Sequence, residues 1–164
     1  MCSSPSWIER EFEEKRALMM NLQEIKKSGK GDDFADRELS ARVIESAIQV
    51  HKALGPGFLE SFYEEALGIE LTEKKIPYER QKTIRIDYKG QPIGEHRLDL
   101  LVDHWLVVEL KTVAELDSIH FAVVRSYMKA LGLNSGLILN FSTMPLTVKR
   151  VGPHSPSVPD FLIS

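Results

Sequence analysis

Residues 97–111 constrain the fold most, because they contain two largely apolar runs divided by a short polar segment. The β-branched and aliphatic content predicts two β-strands, and Asp103-His104 supplies residues typical of a tight turn. Three charged residues interrupt the strands: Asp99, Glu109 and Lys111. A charge inside an apolar strand is costly to bury unless it is paired or binds a metal. We therefore expect the apolar residues to be core and the three charged ones to form a site.

The length of the turn decides whether these charges meet. Side chains alternate across a strand, so Glu109 and Lys111 share a face. A two-residue loop puts Asp99 on the other face, whereas a three-residue loop pairs Val102 with Leu106 and brings Asp99 opposite Glu109. Directly opposed residues have Cβ atoms about 4.5–5.5 Å apart, which lets two carboxylates hold one divalent cation. The site hypothesis therefore requires the three-residue loop.

Two motifs carry a resemblance to a known family. Asp99, followed after nine residues by Glu109-Leu110-Lys111, resembles the active-site core of the PD-(D/E)XK nuclease superfamily. Residues 57–63, GFLESFY, match the pattern that names the GxxExxY protein family, which is placed in that superfamily. The resemblance covers about residues 39–151. It implies an α/β (mixed α+β) domain with a restriction-endonuclease-like α-β-β-β-α-β core, a central mixed sheet flanked by helices, here with an extra N-terminal helix.

The resemblance implies a metal-dependent nuclease that hydrolyses nucleic-acid phosphodiester bonds. In it, Asp99, Glu109 and Glu60 hold Mg²⁺ or Mn²⁺, and Lys111 assists the attacking water or steadies the phosphate charge. The role of Glu60 rests on the family motif. Without that motif, a glutamate in the first turn of a helix is equally well explained by its favourable interaction with the helix dipole. Nucleic acid, DNA more than RNA, is the expected partner, and a homodimer is left open. The accessory candidates are Tyr63, Arg97, His120 and Tyr127.

One position departs from the family pattern and keeps other functions open. Relatives typically carry a glutamine on the third helix four residues before a tyrosine, and here Val123 precedes Tyr127. The alternative function is therefore a catalytically inactive nuclease-fold module that binds nucleic acid or a protein partner. A third, purely structural interpretation pairs Asp99 with Lys111 and leaves Glu109 at the exposed edge of the hairpin.

Composition bounds the class of protein. The 164 residues, 43% hydrophobic and 27% charged, predict a soluble globular protein, and no apolar run approaches the length needed to span a membrane. Cys2 is the only cysteine and no apolar signal region begins the chain, so we expect a cytoplasmic location. The net charge of −3 excludes a strong basic excess. The candidate basic patch consists of Lys74, Lys75, Arg80, Lys82, Arg85 and Lys89.

The pattern divides the chain into three parts. Residues 5–27 carry apolar residues at helical spacing and predict an amphipathic helix, and the glycine-containing segment 28–33 predicts a linker. We therefore expect an N-terminal extension over 1–33, a nuclease-like domain over 34–152 and an irregular tail over 153–164.

Periodicity predicts three helices and five strands within the nuclease-like domain. The first two helices are expected at residues 36–54 and 59–75, and the third runs from an N-cap at Asp117 or Ser118 to about residue 131. The strands are expected at 83–88, 93–102, 105–111, 136–141 and 147–151. On the second helix, Glu64 and Glu65 are expected to be solvated. The predicted apolar stripe of the third helix consists of Ile119, Ala122, Val123, Tyr127 and Ala130.

Overall fold

A computed structural model describes residues 32–152, together with Glu13 and Arg16, which are helical. The rest of the predicted helix 5–27, most of the predicted linker and the tail 153–164 lie outside the described residues. By compactness the chain divides into two units, Met1–Leu39 and Ser40–Ser164. The domain limits proposed from the sequence stay a prediction.

The described elements follow the predicted order, with shifted ends. The strand predicted at 83–88 begins earlier, at Tyr78. Its first half lacks apolar alternation but pairs with the end of the following strand, with Tyr78 opposite Val102. The first helix begins at Asp32, inside the predicted linker, so that linker assignment is wrong at its end. The elements are α1 (Asp32–Leu54), α2 (Glu60–Glu73), β1 (Tyr78–Tyr88), β2 (Gln91–Val102), β3 (Leu106–Lys111), α3 (Ser118–Leu131), β4 (Ser135–Asn140) and β5 (Thr147–Val151).

The five strands form one mixed sheet in the order β1-β2-β3-β4-β5. β3 and β4 run parallel, which requires a crossover connection, and α3 lies between them in the chain. The remaining neighbours are antiparallel. The α-β-β-β-α-β order and the mixed sheet flanked by helices match the predicted restriction-endonuclease-like core, so the fold prediction is confirmed. Within residues 32–152, no helix combines the length and apolarity needed to cross a membrane.

The third helix buries a different face from the predicted one. Its buried residues are Val124, Tyr127 and Met128, whereas Ile119 is 59% exposed. The reason lies on β4, where a Cβ on Gly136 would stand 2.7 Å from Val124 Cγ1 and 3.0 Å from Met128 Sδ. The missing side chain lets α3 approach the sheet along that line. The predicted stripe is therefore wrong except at Tyr127 and at half-buried Val123, which packs on the same cluster.

Candidate active site

The hairpin register required by the site hypothesis is confirmed. Val102 pairs with Leu106 and Leu100 with Val108, so three residues form the loop. Asp103 and His104 take positive φ values of 48° and 59° in it. Extended by one residue beyond the Leu100–Val108 pair, this register places Asp99 opposite Glu109, so the two carboxylates share one face of the sheet.

Asp99 lies where the backbone pairing of β2 and β3 ends. Beyond the Leu100–Val108 pair, its Oδ2 accepts a hydrogen bond from the backbone N–H of Leu110 at 2.9 Å. A short carboxylate side chain thus takes the place of a backbone partner on the neighbouring strand. This bond fixes the orientation of the half-buried Asp99 towards β3.

Glu109 is buried and only half satisfied. The residue is 5% exposed, and its Oε1 accepts a hydrogen bond from Lys111 Nζ at 2.8 Å. Among the described residues, no group hydrogen bonds its buried Oε2. The purely structural interpretation is wrong on both counts, because Lys111 pairs with Glu109 rather than Asp99, and Glu109 is not at an exposed edge. A buried carboxylate oxygen without a partner is unusual and suits a ligand.

The electrostatics of the cluster favour a bound cation. Burial, and then the charge of Glu109, raises the pKa of Asp99 to about 7 despite the Leu110 N–H and Lys111. Burial also raises the pKa of Glu109, more than the bond to Lys111 lowers it. For Lys111, burial lowers the pKa, but the bond to Glu109 and the carboxylates of Glu109, Glu60 and Asp99 raise it more. The carboxylates therefore carry negative charge that the protein alone stabilises poorly.

Glu60 connects the second helix to the end of β3. Its Oε2 accepts a hydrogen bond from the backbone N–H of Thr112 at 3.1 Å, across 52 positions in the sequence. Its charge also raises the pKa values of Glu109 and Lys111. Asn140 holds the next residue, since its side chain bonds both the N–H and the C=O of Val113, at 3.1 Å and 2.7 Å. Glu60 thus points to the sheet beside the hairpin charges.

Tyr127 is buried near the carboxylates. Its hydroxyl hydrogen bonds with His96 Nδ1 and donates to the backbone carbonyl of Arg97 at 3.2 Å. Burial raises the pKa of Tyr127, and the charges of Glu109 and Asp99 raise it further. Tyr127 therefore stays protonated beside the site. Arg97 contacts Tyr127 only through its backbone carbonyl, and Arg97 is an exposed residue.

The other two accessory candidates have structural roles. The Tyr63 ring stacks on Phe141 at 4.4 Å, and its hydroxyl donates to the Gly55 carbonyl at 2.6 Å and accepts from the Phe58 N–H at 3.2 Å. Tyr63 is therefore a core residue whose hydroxyl stabilises the turn before α2. His120 completes the capping box of α3, where its Nδ1 accepts the backbone N–H of Asp117 at 2.8 Å.

A buried group beside the site was missed by the sequence reasoning. Glu64, expected to be solvated, is 6% exposed, so that prediction is wrong. Its two oxygens accept hydrogen bonds from Arg80 Nε at 3.0 Å and Gln81 Nε2 at 2.8 Å. Its charge raises the pKa values of Asp99 and Glu109. The signal was its position four residues after Glu60, because side chains at that spacing lie on one helix face.

The candidate basic patch is largely neutralised. Each of four members has an acidic partner, so the patch presents much less positive charge than its sequence suggests. Arg80 forms ion pairs with both Glu64 and Glu65. The other pairs are Lys82 with Glu79, Arg85 with Asp87 and Lys74 with Glu45.

The donor set fits a hard divalent cation, although the carboxylates are not gathered into a full ligand set. Within the part of the chain that the structure describes, no three His, Cys, Asp or Glu residues lie close enough together to hold a metal ion. Asp99 and Glu109 nevertheless share a face, and the unpartnered Oε2 of Glu109 is an available oxygen ligand. Mg²⁺ is commonly bound through one or two carboxylates and keeps several waters. The pair therefore suits such an ion.

Comparison with known proteins agrees with this geometry. The chain matches the family model of the PD-(D/E)XK nuclease superfamily over residues 37–151, which is well over half of its length. No curated protein and no solved structure matches it. The matched region contains the hairpin with Asp99, Glu109 and Lys111, and α2 with Glu60. The chain therefore belongs to the PD-(D/E)XK nuclease superfamily.

Proposed function

We propose that this protein is a metal-dependent nuclease that hydrolyses phosphodiester bonds of nucleic acid. The observation that carries the proposal is the buried, unpartnered Oε2 of Glu109 on the same face as Asp99. Asp99 and Glu109 would hold Mg²⁺ or Mn²⁺, and Glu60 beside them adds negative charge. When bound, the ion supplies Lewis-acid stabilisation of the phosphoryl oxygens.

Lys111 supplies the second part of the chemistry. Glu109 holds its ammonium at 2.8 Å, and the surrounding carboxylates keep it protonated by raising its pKa. A fixed cation there orients the attacking water and stabilises the negative charge that develops on the phosphate. Tyr127, a neutral hydroxyl near both carboxylates, adds no charge to this balance.

Membership of the GxxExxY family within the superfamily belongs to the same proposal. It is supported by residues 57–63, whose Glu60 and Tyr63 both point into the domain, one to Thr112 and the other to Phe141. We infer DNA rather than RNA as the first substrate class to be tested.

The proposal is tested by titration calorimetry with Mg²⁺ and Mn²⁺. The variants Asp99→Asn and Glu109→Gln keep side-chain shape and remove one negative charge each, and we expect both to abolish sub-millimolar binding. Asp87→Asn is the matched control, because Asp87 is an exposed carboxylate on β1 paired with Arg85. Cleavage of single- and double-stranded DNA and RNA by the wild type should then fail in the same two variants. Metal binding that survives in both variants contradicts the assignment.

A second candidate function is a catalytically inactive module that binds nucleic acid or a protein. It is favoured by one observation, that no three potential ligands converge within residues 32–152. This candidate predicts no metal binding by the wild type, together with Asp99→Asn and Glu109→Gln variants that fold at least as stably as it does. Fluorescence anisotropy with labelled oligonucleotides would then measure the remaining binding function.

A further inference from the structure

The buried carboxylate of Glu64 lies beside the site but has no part in the proposed chemistry. Its side chain is 8% exposed, and both of its oxygens are already hydrogen bonded to residues of β1, Arg80 and Gln81. Both oxygens therefore bind residues of β1 and are not available to a ligand. Its charge nevertheless raises the pKa values of Asp99 and Glu109.

The residue that Glu64 holds has an unfavourable backbone. Gln81 has a φ of +50° inside β1, and residues other than glycine rarely adopt such a positive φ. Arg80 pairs with Leu100 and Lys82 with Leu98, so Gln81 lies across from Asp99. Backbone strain of this kind persists where the surrounding structure enforces it, and it is concentrated at functional sites.

We propose that Gln81 is a substrate-contact residue of the candidate active site, and that Glu64 and Arg80 are the positioning residues that hold its amide there. The proposal rests on the nuclease function proposed above. Gln81 is an exposed residue, and one Nε2 hydrogen donates to Glu64. The second Nε2 hydrogen and Oε1 hydrogen bond to a nucleotide that flanks the scissile phosphate.

A neutral donor suits this position for a physical reason. A cationic side chain among these carboxylates is drawn into an ion pair, as Arg80 is with Glu64 and Lys111 with Glu109. An amide donates to a phosphate oxygen without offsetting the negative charge that the site needs for a cation. The competing explanation is that Gln81 merely satisfies the second oxygen of Glu64.

Two pairs of variants separate strain from function. Gln81→Ala and Gln81→Gly both remove the amide, but only glycine relieves the left-handed backbone. His104→Ala and His104→Gly are the matched control, because His104 has a φ of 59° in the exposed β2–β3 loop. In both pairs, we expect the glycine variant to melt about 2–4 °C above the alanine variant.

The kinetics on DNA oligonucleotides then decide the role of the amide. We expect both Gln81 variants to raise KM about tenfold with little change in kcat, as does the loss of one hydrogen bond made equally in the ground state and the transition state. Both His104 variants should match the wild type. Glu64→Gln should raise KM as well, and the Glu64→Gln/Gln81→Ala double variant should be no worse than Gln81→Ala alone. That lack of additivity is a readout that separate structural roles would not give.

The failures are distinguishable. An active wild type with an unchanged KM in Gln81→Ala overturns the substrate contact and leaves the nuclease function standing. A Gln81→Gly variant that melts no higher than Gln81→Ala overturns the strain argument. A wild type that binds no Mg²⁺ and cleaves no oligonucleotide overturns the nuclease function, and this inference with it.

Discussion

Replacing Asp99 by asparagine should stabilise the metal-free protein at pH 8. Burial and the charge of Glu109 raise the pKa of Asp99 from its ordinary value of 3.8 to about 7. This rise in pKa corresponds to at most about 4 kcal/mol against the charged form above pH 7. Asparagine keeps an oxygen that can accept the Leu110 N–H, and repacking absorbs part of the gain. We expect the free energy of unfolding to rise by about 1–3 kcal/mol.

The stabilisation expected from Asp99→Asn should depend on pH in a defined direction. A carboxyl whose pKa is higher in the folded chain binds its proton more tightly there, so the free energy of unfolding falls as pH rises from about 4 to 7. The gain from Asp99→Asn should therefore be larger at pH 8 than at pH 5. Urea denaturation in EDTA at both pH values measures it, with Asp103→Asn, in the exposed β2–β3 loop, as the control. An Asp99→Asn variant no more stable than the wild type at pH 8 would refute the reasoning.

Three further substitutions probe the framework of the site. Asn140→Ala removes the buried amide that bonds both backbone groups of Val113, and should lower the free energy of unfolding by about 2–4 kcal/mol in urea denaturation. Gly136→Ala places a Cβ 2.7 Å from Val124 Cγ1, and should cost about 1–3 kcal/mol in the same assay; an unchanged midpoint would show that α3 shifts freely. Tyr63→Phe keeps the stacked ring but frees the turn before α2, and should lower Tm by about 2–6 °C in a thermal melt, with far-UV circular dichroism unchanged at 25 °C.

The part of the site that could be predicted from the sequence is the part that depends on local rules. Strand alternation reduced the question of whether Asp99 and Glu109 share a face to the length of one loop, because a one-residue change of register reverses every side chain. The site hypothesis required a three-residue loop, and the structure has one. The ends of α1 and α3 likewise followed from Gly55 and Gly132, whose φ values of 68° and 67° are left-handed.

The part that could not be predicted depends on residues that are distant in the sequence. Glu64 looks like a solvated helix residue until Arg80 and Gln81 of β1 are placed against it, and its burial follows from that pairing. The buried face of α3 depends on Gly136 of a later strand, which no helical periodicity contains. The bond from Asp99 to the Leu110 N–H requires two strands to separate at one point, and alternation carries no information about that.

The hydrogen bond between Glu60 and Thr112 has a consequence for the protein during its own synthesis. The two residues lie 52 positions apart, and the strands that carry Asp99 and Glu109 are made between them. Asp99 and Glu109 meet within one hairpin, but Glu60 can join them only after translation has passed Thr112. The candidate site is therefore completed by a contact between a helix made early in synthesis and a strand end made later.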